Sequence, residues 1–379
     1  MKATMERRGE KQIPPFRGND KRYSWFGPEE NFRRNEKGHL WAATCATAGA
    51  AVWAGIAVLA RIGMARVGAI ELLFLFAPLV IVPLGMELGR VMGNCGGLDE
   101  LARWLQPAGA GLAVVSMFLP PGRNAGLAAL GWLLICGLVA GAGFVDLVRA
   151  LWTDADRSVR ATLGLARVDL AVGGAWLVAS RWGMRPMGIQ EPIGLLTAVH
   201  FHFAGFATAM IAAATLSFTQ RRGDRRRLRV VVLLVAGLPI VVAAGFVIGP
   251  VVKMAAALLF SASVAGLAIA VRASGRNAED ATARVLLQGA AGAVFAGMVL
   301  SGVYAVADFA GSELLTIPQM ARTHGILNAV GFCLLGMLGW LVESGSRSRS
   351  VPAKGPTSRA RDAREMGHPY RPHSNRVTM

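Results

Sequence analysis

Charge is scarce in this sequence and unevenly spread. Only 17% of the 379 residues are Asp, Glu, Lys or Arg, and they gather in short clusters between long runs that have none. That distribution excludes a large water-soluble core and fits a chain that crosses a bilayer repeatedly. Cysteine is also rare. The four present, Cys45, Cys95, Cys136 and Cys333, show no CxxC spacing, so they form neither a disulfide framework nor a zinc site and read as small packing residues. No CxxCH, HExxH, Walker or GxGxxG pattern stands in its proper context, which leaves no motif for covalent haem, zinc proteolysis, nucleotide hydrolysis or dinucleotide binding. The first 39 residues are polar and mixed in charge. A cleaved signal peptide is therefore not expected, and the first apolar run reads as an uncleaved anchor. Long loops and internal repeats are missing as well, so the apolar region reads as one domain.

What is present is a series of apolar runs. A hydrocarbon core about 30 Å thick needs roughly 20 apolar residues per helix. Ten stretches qualify, near 40–61, 69–88, 102–119, 125–148, 162–181, 192–217, 229–249, 251–271, 285–306 and 319–342. The fold expected is an all-α polytopic bundle of about ten helices. Its transmembrane domain spans 40–343, between a polar, disordered tail over 1–39 and a basic, disordered tail over 344–379. Pro78 and Pro83 imply a kink in the second span. Gly249 and Pro250 imply a sharp break with almost no loop. Gly and Ala recur inside the spans, where they let helices approach closely.

The chain carries 40 Lys and Arg against 23 Asp and Glu, a formal charge of +17. Ten spans put 32 of the 40 on the side of the two tails, 7 on the other and Arg167 inside a span. Without the tails the bias is still 14 to 7. This is the positive-inside pattern of a chain with both ends in the cytoplasm. The excess charge therefore reports topology and attraction to anionic headgroups of the bilayer, and argues against nucleic acid as a partner.

Ionisable groups deep in hydrocarbon cost about 2.5–3.5 kcal/mol on insertion scales, so each asks for a partner or a role. Besides Arg167 they are Asp169, His200, His202 and His324. Glu71, Glu191, Lys253, Asp308 and Glu313 lie near outer helix ends, and Asp146 and Glu87 near inner ones. On a regular helix, Leu195, Leu196, Val199, Phe203, Phe206 and Met210 form one large apolar face, expected to meet lipid. The small residues opposite, among them Gly194, Ala204 and Gly205, are expected to face the bundle. His200 and His202 then flank that face about 160° apart, too far to chelate one metal but placed to reach two neighbours. In the tenth span, His324, Asn328, Gly331 and Gly339 share a bundle-facing stripe. Ser301, Tyr304 and Asp308 lie on one stripe near the end of the ninth.

Three imidazoles at similar depth in the outer half support a site for a small solute, ion or proton. His200, His202, His324 and Asn328 would bind or relay, with Asp169, Glu71, Tyr304 and Asp308 as partners. An alternative is a membrane oxidoreductase holding haem or a transition metal on His200, His202 or His324. A third is a scaffold or sensor in which the histidines only pin helices together.

The stretches GGAWLVASRWGMRPMGIQEPIGLLTAVHFHFAGFA (173–207), IELLFLFAPLVIVPLGMEL (70–88) and THGILNAVGF (323–332) resemble the YndJ-like family of bacterial integral membrane proteins. The resemblance covers about 45–342, and LTAVHFHFAGF with HGxxNAxGF are its specific parts. It implies a bacterial cell membrane, a multi-pass fold, a transporter-like label and a shared motif at His200, His202, His324 and Asn328. It does not imply a reaction. Some members continue into a further C-terminal region, where this chain has a basic tail.

Overall fold

A computed structural model describes residues 28–93, 96–152, 157–219 and 222–350. Cys95 and most of both expected tails lie outside the described residues. All ten apolar runs are helical, and among the described residues there is no strand. The helices are α1 (Pro28–Arg61), α2 (Ala69–Val91), α3 (Gly97–Phe118), α4 (Arg123–Trp152) and α5 (Arg157–Trp182). They continue with α6 (Ile193–Phe218), α7 (Arg222–Ile248), α8 (Pro250–Arg276), α9 (Ala281–Phe309) and α10 (Ile317–Ser348). Among the described residues, nine of these are long and apolar enough to cross a membrane. The tenth, α3, carries Asp99, Glu100 and Arg103 in its first turns, but its 22 residues still span about 33 Å. Helix extends to Pro28 at one end, upstream of the apolar run, and to Ser350 at the other. With ten helices the start of α1 and the end of α10 share one face of the bundle, called here the basic face.

The core is built around α2 and α6. In each, 78% of the most apolar window is buried, against 22% in α1 and 28% in α9. This corrects the expected lipid face of α6: Leu195, Val199, Phe203, Phe206 and Met210 are all buried. The Phe206 ring sits on Gly85 and the Met210 thioether near Gly89, both on α2. Large side chains thus fill gaps left by glycines on the neighbour. A face of large apolar residues is equally suited to lipid and to such a surface, so periodicity alone could not choose.

Proline shapes α2 as expected, though through a widened turn. Pro83 has no N–H to offer the carbonyls one turn before it. The backbone over Ala77–Ile81 opens into a π-helical segment, and Gln106 of α3 donates to the Pro78 carbonyl at 2.7 Å. The Leu79 carbonyl lies directly against Gly49 of α1, where any Cβ would collide with it. Gly49→Val should therefore destabilise the α1–α2 contact by about 1–3 kcal/mol or more, read as a lower melting midpoint in detergent. At the other sharp break, Gly249 sits at φ 148 between α7 and α8, a conformation that suits glycine.

The expected stripe on α10 packs on α9. Gly331 faces Ala293, Gly339 faces Leu287, and Asn328 faces Gly297. The start of α9 is held by Asp280, whose carboxylate accepts from the backbone N–H groups of Thr282 and Ala283 at 2.8 and 3.1 Å. Ser346 near the end of α10 donates to the same carboxylate at 3.1 Å. The backbone N–H of Ala283 leads the contacts that hold the Asp280 carboxyl below the usual carboxylate range. Its contribution is complete above the unfolded value and fades as pH falls through the folded one. Asp280→Asn should therefore remove part of the acid-side pH dependence of melting.

On the basic face the buried charges are paired. Arg167, 2% exposed, bonds Asp146 at 2.7 Å and Asp99 at 3.3 Å. Glu87 meets Arg90 at 2.8 Å, Arg103 at 3.5 Å and His39 at 3.6 Å. Glu343 of α10 accepts from Arg347 at 2.7 Å and from the backbone of Glu279 and Asp280. Arg167 thus has two counter-charges, from α3 and α4.

Candidate membrane-embedded site

Three helices lose α-helical register at one level of the bundle. Besides Ala77–Ile81 in α2, α6 is π-helical over Phe201–Ala207, and α10 over Ala321–Gly325 and Leu327–Leu334. The segments in α2, α6 and the second of α10 pack on one another. In α6 the widening centres on the Phe203 carbonyl. It accepts from both the backbone N–H and the hydroxyl of Thr208, the latter at 2.9 Å, and the Cys333 thiol lies 4.0 Å away. Such segments are uncommon and concentrate at functional positions because they offer backbone and side chains outside the regular ladder.

His202 is wholly enclosed, with 0% exposure. Its Nδ1 lies 2.7 Å from the Ala198 carbonyl, and the Trp132 indole donates to its Nε2 at 3.0 Å. A carbonyl only accepts, so Nδ1 carries the hydrogen and Nε2 receives the indole N–H. Trp132 stacks on the ring at 6.0 Å and Phe74 meets it edge-on at 5.1 Å. Gly173 of α5 makes room, since a Cβ there would lie 2.6 Å from Nδ1. Both nitrogens are in use, and the imidazole joins α6 to α4.

His200 points elsewhere. It lies about 10 Å along α6 from Ile193, and it is exposed at the surface of the bundle. Its Nδ1 donates to the Leu196 carbonyl at 2.7 Å, leaving Nε2 free for a ligand. His324, at the same depth in α10, is within electrostatic reach of His200. Its Nδ1 donates to the Gly297 carbonyl of α9 at 2.9 Å, which again leaves Nε2. Asn328 donates to the His324 carbonyl at 2.7 Å, and its own carboxamide oxygen remains as an acceptor. His324 and Asn328 are both half-buried. His200, His324 and Asn328 thus form one polar group near the bundle surface, while His202 belongs to the packed interior.

Asp169 lies deeper, 12 residues from Arg157 and 13 from Trp182, or about 18 and 20 Å along α5. It is 0% exposed, and neither carboxyl oxygen has a hydrogen-bond partner. One of them rests against Gly205 in the π-helical segment of α6. The remaining expected partners stand apart from the histidines. Glu71 at the start of α2 is within electrostatic reach of Arg181, whose guanidinium donates to the carbonyls of Ser116 and Leu119 at 3.0 and 2.6 Å. Asp308 bonds Lys253 of α8 at 2.7 Å, with Tyr304 beside it. Ser301 lies 3.1 Å from Ser261 of α8.

Among the described residues, no three His, Cys, Asp or Glu side chains are grouped to hold a metal ion. The three imidazoles therefore do not meet as one ligand set, because the Trp132 bond directs His202 away from the other two. Gly205 faces the bundle as expected, against Asp169, whereas the roles of Trp132 and Gly173 around His202 were not legible in the sequence. A tryptophan well inside a span was the available signal, since its N–H needs a partner there and tryptophans favour membrane interfaces.

Together these features define a multi-pass, all-α membrane protein with polar groups enclosed at membrane depth. The YndJ-like protein family model matches residues 72–332, well over half of the chain, and the chain belongs to that family. It is similar to the protein of Bacillus subtilis (strain 168) named "Uncharacterized membrane protein YndJ", at 28% identity over 176 residues. Those residues are 46% of this chain and 32% of that protein, so the match spans about a third of the relative's length. No solved structure matches the chain.

Proposed function

We propose that this bundle, in a bacterial cytoplasmic membrane with its basic face toward anionic headgroups, carries a small solute, ion or proton by way of the polar group His200, His324 and Asn328. The observation that carries this reading is that these residues stand at the level where α2, α6 and α10 all leave α-helical register. Two imidazole Nε2 atoms and a carboxamide oxygen can replace part of a solute's hydration. The interrupted helices behind them offer a place where packing can change, as in carriers that bind substrate at broken helices. The membrane haem or metal reading has less support, because His202 has no free nitrogen and two imidazoles remain.

Electrometry on proteoliposomes tests the proposal. Pulses of monovalent cations, anions, amino acids and organic acids should evoke a current for at least one class, lost in His200→Ala and His324→Ala proteins that remain folded. No current from any pulse, or one unchanged in the double variant, would sink it. A Soret band or stoichiometric metal that disappears with His324→Ala would favour the oxidoreductase instead.

A further inference from the structure

We propose that Asp169 is a proton carrier: its carboxyl takes up and releases one proton in mid-membrane, with the π-helical segment of α6 as the backbone that uncovers it. This rests on the transport reading and specifies the proton as its coupling ion. An ionised carboxylate in hydrocarbon needs a counter-charge or donors. Asp169 has neither, with both oxygens unpartnered and no exposure. Other buried acids in this chain differ sharply. Asp146 meets Arg167, while Glu87 and Glu343 have arginines.

The helices packed most closely against α5 are α4, α6 and α7, and α3 reaches its two ends, with Asp99 on Arg167 and the Ser116 carbonyl on Arg181. On α4 the titratable groups at this depth are Asp146, bound to Arg167, and the buried Cys136. On α6 it is His202, committed to Trp132 and the Ala198 carbonyl. Between Arg229 and Ile248, α7 offers none. On α5 itself Arg167 points to Asp146 and Asp99. A metal cation would need several more oxygens than this pocket's side chains supply, whereas a proton needs only one. Gly205 beneath the carboxyl has no side chain, and the backbone on either side already lies outside the regular ladder. A local return to α-helical register would therefore move the backbone that covers the carboxyl. The chemistry is a single exchange: one O–H bond forms at a carboxyl oxygen when the proton arrives and breaks when it leaves.

Infrared difference spectra of the full chain in lipid, with and without carboxyl-labelled aspartate, read this directly. A carboxylic acid C=O band sensitive to the label should grow as pH falls and fade as it rises, and should be missing from Asp169→Asn. A band that never titrates while the protein stays folded would mark a purely structural acid and overturn the proposal. So would the lack of any band assignable to Asp169. Should Asp169→Asn fold poorly, Asp169→Glu makes the same assignment, because the band at this position then no longer responds to the aspartate label. In proteoliposomes under an imposed proton gradient, Asp169→Asn should lose proton movement and Asp169→Glu should retain some; unchanged movement in Asp169→Asn would also overturn it. Solute currents without proton movement would sink this inference alone, and a titrating Asp169 without solute currents would sink only the transport reading it builds on.

Discussion

Arg167→Met is expected to lower the stability of the bundle by about 3–5 kcal/mol, the usual result of leaving a buried charge without its partner. The guanidinium is 2% exposed and bridges Asp146 at 2.7 Å and Asp99 at 3.3 Å. Removing it leaves the Asp146 carboxylate, also 2% exposed, without this counter-charge. Asp99 suffers less because its side chain keeps 14% exposure and can be hydrated. The double change Arg167→Met with Asp146→Leu should recover most of the loss, since replacing a buried pair by apolar groups is often close to neutral. Unfolding by graded detergent denaturation measures both. If the single variant unfolds like the wild type, the pair contributes nothing and the argument is wrong.

The second large effect separates two histidines that stand two residues apart. His200→Ala and His324→Ala should fold and melt near the wild type but lose transport current, because each ring gives one nitrogen to a neighbouring carbonyl and keeps the other for a ligand. His202→Ala should behave in the opposite way. It strands the Trp132 N–H in a dry interior, at about 1–3 kcal/mol, and removes a ring packed against Phe74 and Trp132. Its signature is a lowered melting midpoint, with current per folded molecule retained. Equal loss of current in all three folded variants would return His202 to the site, and equal loss of stability would reduce the whole group to helix pins.

Much of this protein was legible in order of residues. The apolar runs set the number and places of the helices, because a bilayer leaves a polar backbone no other way to satisfy itself within one segment. Pro78, Pro83 and the Gly249–Pro250 pair marked real departures from regular helix, since a missing N–H or a positive φ acts locally. The stripe of His324, Asn328, Gly331 and Gly339 was readable because small and polar residues on one side of a helix have only another helix to meet.

The enclosure of α6 was not readable. Its large apolar side chains suit lipid and protein alike, and only the glycines of α2 opposite Phe206 and Met210 decided between them. Nor did spacing reveal the π-helical turns of α6 and α10, which depend on contacts from other helices such as Cys333 at the Phe203 carbonyl. Sequence alone established that ionisable groups stand at membrane depth. Tertiary structure decided which of them are satisfied, enclosing His202 against Trp132, leaving His200 and His324 each with one ring nitrogen unused, and leaving Asp169 with no hydrogen-bond partner. A hydrogen bond depends on the distance between two atoms, and across helices that distance is set by packing rather than by chain order.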